Sequence, residues 1–272
     1  MRVHHLNCGT MRPLGGKLLD GRPGHLRRGT MVCHCLLIET EDGLVLVDTG
    51  IGSDDIRDPK ASLTREFLLA ANPVLDVRET AAQQVVNLGY KIEDVRHIIP
   101  THLDLDHAGG FRDFPDATVH VYAEELRVAQ AQATAKDRSR FRKAQWAHAR
   151  FESYQTSGED WFGFQAVRNL KGLPEEILIV PLRGHTAGHA GIAVDIGDKW
   201  LLHGGDSYFF EGEMDPAHPH CPPMLTLFQK IVETERTPRL RNQDRLRDLA
   251  RDQSGRVELF CAHDPAGLAR YS

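Results

Sequence analysis

Two histidines and two aspartates lie within six residues of this chain, in the segment 101–110 (THLDLDHAGG). They are His102, Asp104, Asp106 and His107. Imidazole and carboxylate are the side-chain groups that together ligate zinc and similar divalent cations. In an extended segment, the alternation with leucine places the first three polar side chains on one side of the backbone. His107 breaks the alternation, and Gly109 and Gly110 provide backbone freedom for a turn. The segment therefore predicts a metal-binding corner at the end of a strand.

Further candidate ligands follow three predicted strands in the second half of the chain. His185 and His189 come after a strand at 176–181, Asp206 after one at 199–203, and His263 after one at 257–261. Glycines lie nearby, which is typical of loops that carry a functional site on a rigid scaffold. An isolated histidine is more often a capping or core residue. It is the occurrence of all these residues together with the 102–107 cluster that favours a shared metal site.

The elements that must position these side chains are short strands in both halves of the chain, with helices between them. The other predicted strands are 35–40, 44–48, 95–100, 118–122 and 191–195, and the first two are joined by a hairpin turn. Helices are predicted within 78–88, 123–150 and 225–252, with an interruption near Pro238. We therefore predict a single domain over 1–272 with a helical insertion at about 123–175.

The composition excludes several classes of function. The net charge is -5 and no long basic run is present, which argues against nucleic-acid partners. The chain lacks a signal peptide pattern and an apolar run of transmembrane length, so we expect a cytoplasmic protein without a membrane partner. Five scattered cysteines argue against a disulfide framework. Cys33 and Cys35 could form a Cys-x-Cys metal site, although reduced cysteines packed in a sheet are the simpler interpretation.

The order of these residues resembles the pattern of the metallo-β-lactamase superfamily, which is His-x-His-x-Asp-His followed by a later His, Asp and His. The matching positions are His102, Asp106, His107, His185, Asp206 and His263. Residues 47–50 (VDTG) also resemble the early strand-turn motif of the family. The resemblance spans nearly the whole chain and implies an α/β fold, an αββα sandwich of two mixed sheets flanked by helices. The spacing is most similar to the branch of N-acyl homoserine lactone lactonases and methyl parathion hydrolases.

This resemblance implies a role for each residue. One metal would be held by His102, Asp104 and His185, the other by Asp106, His107 and His263, with Asp206 bridging them. The two divalent cations, zinc by default, would share a hydroxide that opens a lactone or ester, as in quorum-quenching lactonases. Asp106 would move a proton to the leaving group. Tyr208, one residue earlier than in the best-known lactonases, would donate a hydrogen bond to the oxyanion.

Other residues receive supporting roles or none. His189 and Asp48 are expected to orient ligands or turns, and His120 and His203 are expected to be structural. The aromatic residues between 146 and 164 either line the substrate pocket or pack the inserted helices on the core. The partner is a small-molecule substrate, and the inserted helices could support a homodimer.

One position departs from the family pattern, because Asp104 stands where the second histidine is expected. An anionic carboxylate is a harder ligand than imidazole and favours iron or manganese over zinc. The flavodiiron proteins of this superfamily also carry an acid here, so a di-iron oxidoreductase is a second hypothesis, although no flavin-binding domain is recognisable. A non-catalytic ligand-binding member of the fold is a third. Asp104 could also be a turn residue that points away from the metal.

Overall fold

The computed structural model describes residues 1–156 and 159–271. Within these ranges the chain forms two mixed sheets, a short hairpin and eleven α-helices. The strands are β1 (Arg2–Met11), β2 (Met31–Thr40), β3 (Gly43–Val47), β4 (Val95–Ile99), β5 (Thr118–Tyr122), β6 (Arg150–Tyr154), β7 (Glu159–Trp161), β8 (Phe164–Ala166), β9 (Ile177–Pro181), β10 (Ala190–Asp195), β11 (Trp200–His203) and β12 (Val257–Phe260). The helices are α1 (Lys17–Asp20), α2 (Ser53–Arg57), α3 (Pro59–Ser62), α4 (Arg65–Ala70), α5 (Ala81–Asn87), α6 (Ala123–Ala131), α7 (Ala135–Arg140), α8 (Lys143–Trp146), α9 (Pro223–Val232), α10 (Arg236–Asp252) and α11 (Pro265–Ala269).

The first sheet contains six strands in the order β1-β2-β3-β4-β5-β6. Strands β1 to β3 are antiparallel, and β3 to β6 are parallel. The second sheet has the order β12-β11-β10-β9, in which only the β11–β12 pair is parallel. Because both sheets are covered on two faces, strands such as β2 are continuous apolar runs rather than alternating ones.

Three hydrophobic clusters define the layers of the fold. The central one lies between the sheets, where Leu36 of the first sheet and Ile192 of the second belong to the same core. On the outer face of the first sheet the cluster includes Val85 from α5. On the outer face of the second sheet it includes Leu246 from α10. The order is helix, sheet, sheet, helix, which confirms the αββα architecture.

All eight strands predicted from the sequence are present, with small differences at their ends. The segment 123–150 differs from a continuous helix, because α6 ends at Gln132, which adopts a left-handed φ of 44°, and two further short helices follow. The break between α9 and α10 lies at 233–235 rather than at Pro238. Pro238 lies in the first turn of α10, where a missing N–H removes no helical hydrogen bond. No helix in the described ranges combines the length and the apolar character needed to cross a membrane.

Candidate metal centre

Five loops meet at one edge of the sandwich, and four of them carry the predicted ligands. β3 and β4 are parallel neighbours, so the residues that follow both strands share an edge. The same holds for β11 and β12 in the second sheet. The loop 182–189 between the antiparallel strands β9 and β10 completes the group. Because the carboxyl ends of parallel strands lie at a common edge, short loops suffice to place residues from distant parts of the sequence around one point.

Asp206 lies at this point, and its two carboxylate oxygens face different groups of ligands. Oδ2 is 3.8 Å from Nε2 of His102 and 3.3 Å from Nε2 of His185. Asp104 Oδ2 lies 3.4 Å and 3.0 Å from the same two nitrogens. Asp104 thus points toward these atoms and is not a turn residue directed away from them. We call His102, Asp104 and His185 the first set.

The other oxygen of Asp206 faces the remaining three predicted ligands. Oδ1 is 3.4 Å from Nε2 of His107 and 3.1 Å from Nε2 of His263. Asp106 Oδ2 is 3.7 Å from the same nitrogen of His263. We call Asp106, His107 and His263 the second set. All seven residues predicted as ligands therefore converge, with Asp206 between the two sets.

The spacing of these atoms and their missing partners both fit divalent cations. With bonds of about 2.0–2.1 Å, the corners of a tetrahedron lie about 3.3 Å apart, and the distances within the sets are 3.0 to 3.8 Å. Nε2 of His102, Nε2 of His107 and Oδ1 of Asp206 are buried without a hydrogen-bond partner. Buried polar atoms nearly always have a partner, so these open positions fit a metal ion.

A buried aspartate orients two of the histidines. Asp48 Oδ2 accepts a hydrogen bond from Nδ1 of His107 at 2.9 Å. The Thr101 hydroxyl donates to the same oxygen and accepts from Nδ1 of His102, both at 2.9 Å. With the protons on Nδ1, the Nε2 lone pairs face Asp206. The expected orienting role of Asp48 is consistent with these contacts.

Two other contacts hold His263 and Asp206 in place. Nδ1 of His263 donates to the Val32 carbonyl at 2.7 Å. His189 donates through Nδ1 to the Leu182 carbonyl at 3.1 Å and accepts the Asp206 amide through Nε2 at 2.9 Å. Burial holds the pKa of His189 well below its usual value, so the ring is neutral and both contacts persist. His189 thus supports a ligand and is not one itself.

The ionisation of the site follows from its burial and its opposing charges. Burial acts to raise the pKa of Asp206, but His263, His107 and His185 together hold it well below the usual range. Burial, with Arg140 nearby, lowers the pKa of His185 to about 4. Burial acts in the same direction on His107, yet Asp206 and Asp48 raise its pKa well above the usual value. The Asp206 carboxylate is thus ionised, and a cation would displace a proton from His107.

Arg140 is a charged neighbour of the first set that no sequence pattern indicated. It is the last residue of α7, it is 9% exposed, and its Nε lies 2.7 Å from Asp104 Oδ1. Burial acts to raise the pKa of Asp104, but Arg140 is the main cause that holds it well below the usual range. The chain thus contains a buried ion pair at the one ligand position that departs from the family pattern.

Glu125 in the first turn of α6 is a second residue that the sequence did not indicate. It is fully buried and accepts the Leu103 amide at 2.9 Å through Oε1. Its Oε2 accepts the Thr186 hydroxyl at 2.6 Å and the Gly188 amide at 3.2 Å. Glu125 therefore ties the loop that carries His102 to the loop that carries His185.

A cavity of about 800 Å³ opens from the two sets toward solvent. Asp104, Asp106, Asp206 and two of the histidines lie at its base. Its walls are mainly apolar and include Met11, Phe67, Phe209, Leu227, Phe228 and Ile231. Such a space, with few polar groups concentrated at one end, is typical of a pocket for a small molecule with an apolar part.

Tyr208 does not lie with the ligands, which corrects the role expected of it. Its side chain is buried in the cluster on the outer face of the second sheet with Leu246, and it lines a different cavity. Burial raises the pKa of Tyr208 well above its usual value. The neighbouring Phe209 occupies the place beside the site and stacks on His263, with ring centroids 5.2 Å apart. Tyr208, one residue earlier than the tyrosine of the lactonases, therefore lies away from the predicted metal ligands.

The glycines of the 101–110 segment are required for a different reason than turn freedom. Neither Gly109 nor Gly110 is among the residues with positive φ. A Cβ on Gly109 would lie 2.6 Å from the Gly50 carbonyl oxygen, and one on Gly110 would lie 2.9 Å from the Thr49 Cβ. Close approach of the loop after β3 to the loop after β4 therefore excludes any side chain.

The alternatives for the cysteines and the aromatic residues are decided by their surroundings. All five cysteines are free thiols. Cys33 lies within 4.8 Å of ligand atoms of Asp106 and His263, whereas Cys35 belongs to the core outside the first sheet. Trp146 and Trp161 belong to the clusters on the outer faces of the two sheets. The aromatic residues at 146–164 thus pack against the core rather than line the cavity.

Comparison with known proteins agrees with this geometry. The model described as "Metallo-beta-lactamase superfamily" matches residues 28–240. A protein of Mycobacterium tuberculosis named "Probable metallo-hydrolase" is 41% identical over 267 residues, which is 97% of this chain and 81% of that protein.

Solved structures share the fold at low sequence identity. An N-acyl homoserine lactone hydrolase with the product N-hexanoyl-L-homoserine at its metal centre aligns over 98% of this chain and 95% of its own, with a TM-score of 0.70 and 17% identity. The dizinc quorum-quenching lactonase AidC aligns over 97% and 87%, with a TM-score of 0.63 and 14% identity. Since the matched family region covers most of the sequence, this chain belongs to the metallo-β-lactamase superfamily.

Proposed function

We propose that this metallo-hydrolase opens a lactone or an ester whose acyl part is apolar, with two divalent cations held by the two sets and bridged by Asp206. The observation that carries the proposal is the division of the Asp206 carboxylate, whose Oδ2 faces one group of ligand atoms and whose Oδ1 faces another. A single bridging carboxylate between two sets of three ligands is the arrangement expected of a two-metal hydrolytic site.

The donor atoms favour divalent cations of the zinc type. Four neutral imidazoles and three carboxylates are borderline ligands that suit zinc, and iron or manganese remain compatible because of Asp104. When bound, the cations polarise a carbonyl oxygen and lower the pKa of water, so that hydroxide is available near neutral pH. The histidine ligands and Asp206 are themselves buried, and this burial strengthens the charge interactions between them.

The residues of the chain then account for orientation and proton movement. Asp106 lies at the base of the cavity beside His263, so its carboxylate is placed to carry a proton toward a leaving alkoxide. Tyr208 has no part in this step because of its position in the other cavity. The apolar walls would hold the acyl chain, and the similar hydrolase structure with N-hexanoyl-L-homoserine makes N-acyl homoserine lactones the first substrates to test.

The test measures metal content and turnover in the same preparations. The protein is stripped with a chelator, reconstituted with zinc, iron or manganese, and assayed on acyl homoserine lactones, simple lactones and aryl esters of increasing acyl length. We expect two cations per chain and turnover that rises with acyl length. Asp206→Asn should lose both cation binding and turnover. Asp42→Asn, the same change at an exposed turn, should keep both. Undiminished turnover in the stripped protein, or no bound metal after reconstitution, would contradict the proposal.

A further inference from the structure

The buried guanidinium of Arg140 contacts two residues of the first set, Asp104 and His185. Nη1 of Arg140 donates to the His185 carbonyl at 2.9 Å and to the Thr234 hydroxyl at 3.0 Å, and Nη2 donates to the Val232 carbonyl at 3.2 Å. These contacts fix the guanidinium in one place, because each donor of its planar fork has a defined direction.

The two oxygens of Asp104 have different surroundings. Oδ1 faces Nε of Arg140 at 2.7 Å. Oδ2 faces Nε2 of His102 and Nε2 of His185. One oxygen is thus occupied by a fixed cationic partner, and the other is directed into the first set. A free carboxylate could rotate, but the close positive charge of Arg140, which contacts Oδ1 without hydrogen-bond alignment, favours the orientation that leaves Oδ2 available.

We propose that Arg140 balances the charge of Asp104, so that the pair replaces the neutral histidine found at this position in the family pattern. The proposal rests on the proposed two-metal function. Aspartate alone adds one negative charge to the first set, and the permanently charged guanidinium cancels it. The ion pair with Arg140 draws electron density from Asp104 and weakens it as a metal ligand. The net charge around a cation in the first set would then be close to that of a site with three neutral ligands and Asp206.

The same geometry makes Arg140 harmful when Asp104 is absent. Nη2 lies 3.1 Å from Nε2 of His185, which is the nitrogen directed into the first set. An uncompensated guanidinium at this distance would repel a bound cation, and burial makes the repulsion stronger than in water. Asp104→His, which restores the family residue, should therefore weaken binding in this chain rather than improve it.

The experiment is a set of substitutions read out by cation affinity. Competition with a coloured chelator gives the dissociation constant of zinc for each set, and elemental analysis gives the number bound. We expect Asp104→His to weaken the cation of the first set by about tenfold or more, the range found for partners of metal ligands. Adding Arg140→Gln to this variant should restore most of that affinity. Adding Arg140→Lys should not, because lysine keeps the positive charge.

The controls distinguish an effect of the Arg140 charge from a loss of folding and from a failure of the proposed function. Arg138→Gln removes an exposed arginine from the same helix and should change neither affinity. The second set should keep its cation in every variant, which shows that the fold is intact. The proposal is overturned if Asp104→His binds as tightly as the unchanged protein, if Arg140→Gln and Arg140→Lys rescue equally, or if the unchanged protein holds a cation only in the second set. Loss of turnover with both cations bound would instead contradict the proposed function.

Discussion

Replacing Asp48 by asparagine removes one acceptor from the support of the second set while keeping the size of the side chain. Asp48 Oδ1 accepts the Thr101 amide at 2.7 Å, and Oδ2 accepts Nδ1 of His107 and the Thr101 hydroxyl. Asparagine has one acceptor oxygen and one NH2 group. In either orientation its NH2 group meets a donor, which is the Thr101 amide in one case and Nδ1–H of His107 in the other.

The expected loss of cation affinity follows from the change of tautomer by which His107 can avoid two facing donors. The imidazole can move its proton from Nδ1 to Nε2, but Nε2 is the atom directed toward Asp206, and a protonated nitrogen cannot ligate a cation. Loss of such a partner typically costs about 10–100-fold in metal affinity, which is about 1.4–2.8 kcal/mol. If the metal-free protein instead keeps an unpaired buried donor, its free energy of unfolding falls by about 1–3 kcal/mol.

Both quantities can be measured on one variant. Chelator competition on Asp48→Asn should show a larger loss of cation affinity in the second set, where His107 contacts Asp48 directly, than in the first, where His102 depends on Asp48 only through Thr101. Urea unfolding of the stripped protein gives the stability. Asp42→Asn is the control with the same loss of charge at an exposed position. If Asp48→Asn binds both cations as tightly as the unchanged protein and unfolds at the same urea concentration, the orienting role of Asp48 is wrong.

Three further predictions concern the surroundings of the site. Glu125→Ala leaves the Leu103 and Gly188 amides without their acceptor, so urea unfolding should show a loss of about 2–6 kcal/mol, against little change in the surface variant Glu124→Ala. Phe228→Asp should lower kcat/KM for long-chain esters more than for short ones, since each buried methylene contributes about 0.8 kcal/mol; equal losses would exclude the cavity as the acyl site. Burial, with His97, lowers the pKa of His120 to about 4, so its stabilising contribution is present above pH 6.5 and is lost as the pH falls through 4. His120→Gln should therefore reduce the slope of stability against pH in that window by about one proton, or about 1.4 kcal/mol per pH unit, and an unchanged slope in urea titrations would show that His120 titrates normally.

The ligands could be predicted from the sequence because their placement depends on local rules. Each one follows a short apolar strand, and parallel pairing brings strand ends to a common edge. The alternation in 102–106 was correct for Leu103, which is buried in the core, whereas Leu105 lines the cavity beside Asp104 and Asp106. Chemistry and periodicity indicated the candidate residues, and the resemblance to the superfamily pattern selected the seven ligands from four distant parts of the chain.

The residues that the sequence did not indicate depend on packing between distant elements. Arg140 and Glu125 come from the short helices after β5, and nothing near them in the sequence shows that they face the ligand loops. Tyr208 was misplaced because the resemblance puts the tyrosine one residue later, and in this chain Phe209 is the residue that lies beside His263. The sequence analysis did not predict β1, because polar residues interrupt its apolar pattern. It is an edge strand that pairs with β2.

The division of ligands between the two sheets has a mechanical consequence. His102 to His107 follow a strand of the first sheet, whereas Asp206 and His263 follow strands of the second. Each bound ion would therefore connect the two sheets. Only the folded chain brings these ligands together, so ion binding stabilises the folded state. A free ion concentration of about a hundred times the dissociation constant adds about 2.7 kcal/mol per site to the free energy of unfolding. The melting temperature of this protein should thus rise with the concentration of the ion in its buffer.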